Sequence, residues 1–274
     1  MIQRVPYSLK HVAAIFVLSL APSLFGQWLH YPTPGMPRRP DGSPNLTAPA
    51  PKSKDGKPDL SGIWAAEKNR PCPADGCDDM ELGQEFLNIA WGLKGGLPYQ
   101  PWAAEIVKTR KARYGQDDPG SRCLPTGIVM MHTTPLMKKI VQLPGLMVIL
   151  NERNVSYRQI FIDGRPLPED PEPSWNGYSV GKWVGDTLVV ETTGFRDGLW
   201  LDRGGSPLTD AGRITERFRR VDYGRLQIDL TVDDSKAYRT PWTIRLNQFL
   251  VPDTELLDYV CLENERDIKH LTDK

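Results

Sequence analysis

Three observations predict a mainly β, antiparallel fold. From Ile140 onward, short runs rich in β-branched residues are separated by Pro, Gly or Asp turns. Glycine and proline together number 24 + 25 = 49 of 274 residues, which favours turns over long helices. The run RLQIDLTV puts Leu226, Ile228, Leu230 and Val232 on one face and Gln227, Asp229 and Thr231 on the other.

In chain order, the first element reads as an address. Arg4 and Lys10 precede the apolar run Val12–Phe25, and cleavage after Gly26 would give a signal peptide over residues 1–26. The run is shorter than the ~20 residues of a membrane span, so no membrane insertion is expected beyond this segment; an uncleaved anchor is the alternative. The expectation is an exported protein, periplasmic or secreted. Removing the segment takes two positive charges and no negative ones, so 34 acidic residues face 32 basic ones and the net charge becomes −2.

Residues 27–58 form a proline-rich strap, with Pro32, Pro34, Pro37, Pro40, Pro44, Pro49, Pro51 and Pro58. Such a stretch cannot donate a regular ladder and runs extended. Within it and just beyond, DGSPNL and DGKPDL lie fourteen residues apart. Each Asp-Gly-x-Pro reads as a tight turn, and the second copy leads through Ser61-Gly62-Ile63-Trp64 into the first strand. Residues 59–274 are expected to form one barrel-like domain with a helical insertion at about 78–114. In that insertion, Asp78 or Asp79 caps MELGQEFLNIAWGL, and Pro101 opens a second short helix that ends before Gly115.

The strands follow as LMVIL, VSYRQIFI, TLVVETT, RITERFRRV, RLQIDLTV, WTIRLNQFL and ELLDYVC. With SGIW they make eight, the number that closes into a barrel able to hold one small ligand. A β-sandwich is the alternative.

Four cysteines follow Gly26: Cys72, Cys77, Cys123 and Cys261. In an exported chain an even number favours disulfides over a zinc site, since no second short-spaced pair completes a tetrahedron. Of the three pairings, Cys72–Cys77 with Cys123–Cys261 is preferred. No metal or cofactor is expected. Zero formal charge and the lack of a basic stripe point away from nucleic acid and toward a small-molecule ligand.

Asp59–Trp64, DLSGIW, resembles the opening strand of lipocalin-like (calycin) barrels, where a Gly-x-Trp places an indole across one end. The resemblance implies a calycin-like closed barrel. The segments PTPGMPRRPDG, DDPGSRCLPTG, YRQIFIDGRPLPEDPEPSW and GKWVGDTLVVETTGF resemble an uncharacterised family of exported bacterial proteins. That resemblance implies one unit over nearly the whole mature chain and carries no catalytic assignment.

Candidate chemistry comes from strand alternation. Glu191 alternates with apolar neighbours, and Glu216 shares a face with Ile214 and Phe218. Either one, facing inward, could become a general acid or base, with Tyr157 as a donor and His132 as an acid–base partner. Tyr157, Gln159, Arg165, Trp175, Tyr178 and Trp183 are the expected ligand contacts, grouped on one strand face and the acidic loop beside it. Gly177–Gly181 matches Gly-x-Ser-x-Gly, but EDPEPSWN before it is no strand and a hairpin follows, so the match is not expected to be a nucleophile elbow. The leading expectation is binding of a hydrophobic or aromatic small molecule in the barrel. A hydrolase, isomerase or cyclase acting through inward carboxylates is the first alternative, and a surface scaffold the second.

Overall fold

The computed structural model describes residues 31–68, 89–90, 93–113 and 115–263. The expected signal segment, Cys72, Cys77 and most of the helix expected after Asp78 lie outside them.

The strap does what its two repeated phrases predict. Arg39 N donates to Ser43 O and Ser53 N to Lys57 O, closing one tight turn per copy, with Gly42 and Gly56 at φ +83° and +78°. Tyr223 N and Gly224 N then donate to Ala48 O and Leu46 O, so the strap lies along the barrel. Its start is fastened by Thr33 N and Arg38 Nη2, both donating to Asp253 Oδ1.

The strands are β1 (Gly62–Ala66), β2 (Lys138–Leu143), β3 (Leu146–Asn151), β4 (Ser156–Phe161), β5 (Tyr178–Val184), β6 (Thr187–Thr193), β7 (Leu199–Trp200), β8 (Pro207–Leu208), β9 (Arg213–Arg220), β10 (Arg225–Asp233) and β11 (Trp242–Leu250). Nine of them close a barrel in the order β1-β11-β10-β9-β6-β5-β4-β3-β2, while β7 and β8 form a separate ribbon. The helices are α1 (Pro101–Ala112) and α2 (Gly127–Thr133). Pro101 opens α1 as expected, and the Gly115 amide closes it on Arg110 O at 3.1 Å. The short α2 was not foreseen.

Two corrections apply to the expected eight antiparallel strands. KKIVQL and YSVGKWV are strands, and ELLDYVC is not one. β11 is already paired on one side with β10 and on the other with β1, so a closed ring offers the tail no edge to join. The tail instead crosses the barrel end, with a single bridge between Arg153 and Tyr259. A closed ring with an odd number of strands also cannot alternate direction all the way round. One parallel junction is obligatory, and it falls between β4 and β5.

The core is the lumen itself. Met147, Ile149, Ile160, Leu188, Val190, Ile214, Phe218, Leu226, Ile228, Leu230 and Val232 are all fully buried. These inward side chains belong to one hydrophobic cluster, as in small barrels whose interior is filled by side chains. Trp64 closes one end: its Nε1 donates to Leu60 O at 3.0 Å, and the Arg220 guanidinium lies 4.9 Å from its ring centre. Arg220 also donates to Asp59 O, Ser61 O and Tyr223 O, tying the strap's exit to the β9–β10 turn. Cys123 and Cys261 form a disulfide, as preferred from the sequence.

Candidate functional site

The parallel junction produces the site. β4 pairs with β3 along its whole length but meets β5 only at Ile160↔Ser179 and Phe161↔Val180. The connection between them carries Pro166, Pro168, Pro171 and Pro173, which cannot complete a ladder. On the side away from β3, the first half of β4 therefore has no strand beside it, and a groove of about 510 Å³ opens there. That volume lies within the ~300–1,000 Å³ common for small-molecule sites.

One wall is the turn Asn154-Val155-Ser156 with Pro125; the other is the segment Ser174–Ser179. Asn176 Nδ2 donates to Tyr157 O at 3.1 Å, tying the far wall to the open strand. Tyr157 remains 63% exposed. Phe161 and Tyr178 stack with ring centres 5.2 Å apart, and Arg165 covers Phe161 at 4.0 Å while donating to Tyr178 Oη. Asp163 takes up the Arg165 charge through a two-oxygen pair, which holds the carboxyl below its ordinary range.

Strand alternation sends Arg158 to the other side of β4, into the barrel. There it donates to both Glu216 oxygens, to Ser179 Oγ and to Thr192 Oγ1. His132, delivered by α2, bonds Glu216 Oε1 through Nε2 at 2.9 Å. Burial is the largest influence on the Glu216 carboxyl and pushes it up. The Arg158 charge and the hydrogen bonds from His132 and Arg158 together outweigh burial and bring it down to about 2. Burial likewise lowers His132, to about 4 against the pull of Glu216. The ring is thus neutral at pH 7, with Nε2–H donating and Nδ1 a buried acceptor without a partner. Lys138, fully buried, donates to Gln248 Oε1, and burial lowers its ammonium to about 7.

The sequence-derived residues separate accordingly. Tyr157, Gln159, Trp175 and Tyr178 line the groove together, and Arg165 braces its edge. Trp183 packs against the core instead. Glu216 and His132 meet inside the barrel. Glu191 lies outward, 4.0 Å from Arg213, and Tyr157 faces solvent, so neither converges with them. Ser179 sits on a strand rather than an elbow, and its hydroxyl is engaged by Arg158 and Thr192. The sequence reading passed over Arg158, Asn154 and Asn176. For Arg158 the signal was present: it shares a face with Ile160. Among the described residues no cluster of His, Cys, Asp and Glu could hold a metal ion.

No protein-family model matches the chain, and no curated protein matches it.

Proposed function

We propose that the protein binds a small molecule with an apolar face in the groove between β4 and β5, outside the lumen. One observation carries the reading: a 510 Å³ concavity whose walls hold Tyr157, Phe161, Trp175 and Tyr178 together with amide and hydroxyl groups. Such a mix of apolar faces and few convergent polar groups is what ligand sites offer. The groove is open to solvent while the lumen-facing side chains are buried, and the Arg158–Glu216 pair beneath gives the groove a rigid floor.

The barrel is proposed as calycin-like in the use of Trp64 to close one end. Export is part of the same reading. It is supported by the apolar run before Gly26 and by the Cys123–Cys261 bond, which oxidising compartments preserve.

Native mass spectrometry of the protein from its own host tests the binding proposal. The expected result is a small molecule retained in the native state, released on denaturation, and missing from the Tyr157→Ala variant. A retained molecule indifferent to that substitution would place the ligand elsewhere and sink the proposal.

A further inference from the structure

We infer that the groove takes the ring of a neutral saccharide, an inference that rests on the groove being the ligand site. The charge of the lining points first in this direction. No carboxylate and no lysine line it, and its single cation, Arg158, is committed to Glu216, Ser179 and Thr192. The other charges nearby stand at the rim: Arg165 is paired with Asp163, and Arg196 lies over Trp175, so the lining itself offers a charged ligand no counter-charge.

The polar groups narrow the class further. Asn154, Gln159 and Asn176 line the groove beside Ser156 and Ser174. The amides carry both donors and acceptors, with Asn154 and Asn176 each spending one donor on a backbone oxygen, and Ser156 Oγ, which donates to Arg153 O, is left to accept. A purely apolar ligand would cover these groups and leave them unpaired, whereas the hydroxyls of a sugar both give and accept. Asn154 Oδ1 is already a buried acceptor without a partner, while its Nδ2 donates to Cys123 O at 3.2 Å.

The aromatic groups complete the match. The C–H face of a sugar ring is apolar and its edge is polar, so it packs on an aromatic face with its hydroxyls free to bond sideways. Tyr157, mostly exposed, offers such a face, with Asn176 held against its own backbone oxygen. Trp175 stands in the opposite wall, packed in part against the core, with the Arg196 guanidinium 5.2 Å from its ring centre. A free monosaccharide and one ring of a polysaccharide present the same chemistry.

Saturation-transfer NMR on the full chain tests this with glucose, cellohexaose, tri-galacturonate and 1-naphthol, each against wild type and Tyr157→Ala. Tyr157 is exposed, so that variant should keep its melting temperature. The inference expects a neutral sugar to bind, tri-galacturonate not to bind, and Tyr157→Ala to weaken the sugar about tenfold. Glucose binding as well as cellohexaose would indicate a free sugar; cellohexaose alone would indicate a polymer. Binding of 1-naphthol alone, lost in Tyr157→Ala, overturns the saccharide and leaves the groove as a ligand site. Binding by none of the four overturns the saccharide too, and a clean native mass would then remove the groove reading with it.

Discussion

Arg158, Glu216 and His132 are polar groups where burial penalises each one alone. They persist because each completes the others, and removing Arg158 or Glu216 would strand the opposite charge at a cost of about 3–5 kcal/mol. The pH dependence follows from the same burial. His132 falls from 6.5 to about 4 on folding, so the unfolded chain holds the extra proton between those values. The His132 contribution to stability is then full above about pH 6.5 and declines toward pH 4, by about 3 kcal/mol for this shift. Glu216, lowered from 4.5 to about 2, adds a second decline below pH 4.5. Lys138 acts at the other end: lowered from 10.5 to about 7, it makes stability rise with pH across that window. Urea titrations at pH 7 and pH 4.5 should show the loss in wild type and a much smaller one in His132→Gln; superimposable slopes would refute the assignment. The inward direction of Glu216 could be read from Ile214 and Phe218. That it would meet Arg158 across the lumen could not, because the strand order between β4 and β9 is not written in either strand.

Among the elements, the turn from Glu152 to Ser156 bears the most constraint. Asn154 and Val155 both have positive φ, 56° and 48°, the latter costly for a β-branched residue. The tail holds them there: Asn154 N donates to Tyr259 O, Tyr259 N to Glu152 O, and Leu257 N to Glu152 Oε1. The disulfide ties that tail to Cys123, whose carbonyl accepts from Asn154. The pair Cys123→Ser and Cys261→Ser should lower stability by about 2–5 kcal/mol and expose the Asn154 and Tyr259 amides to hydrogen exchange. Unchanged protection at those amides would mean the clamp is redundant. Legibility differed by element for physical reasons. RLQIDLTV announces itself because one face is buried and the other wet. KKIVQL hid because Lys138 occupies an inward position, and YSVGKWV because Gly181, with Gly177 just before the strand, looks like a turn. Gly181 is there for closeness: a Cβ would come within 2.9 Å of Ile162. ELLDYVC misled because its apolar residues cover a barrel end rather than alternate along a strand.

For the whole molecule, closure is the governing fact. β1 sits between β2 and β11, pairing Trp64 with Leu250, so the ring is complete only when the last strand is in place. A chain ending at Pro241 should therefore fail to fold cooperatively, leaving β1 and β10 as open edges prone to aggregation. A cooperative melt from that truncation, followed by circular dichroism, would contradict this. The barrel class was legible from turn spacing and alternation. The ninth strand, and the parallel joint it forces, are properties of the closed ring that no single segment carries.

That joint has a mechanical consequence. A hoop under outward strain parts at its shortest overlap, and here Ile160 and Phe161 alone span a seam that β9 and β10 span from Arg213 to Arg220. The groove lies along that seam, so the proposed occupant, touching both Tyr157 and Trp175, would act as a splice across it. Under the proposed function, the stiffness of the barrel would then be a property of the filled protein, and the empty one would be the softer ring.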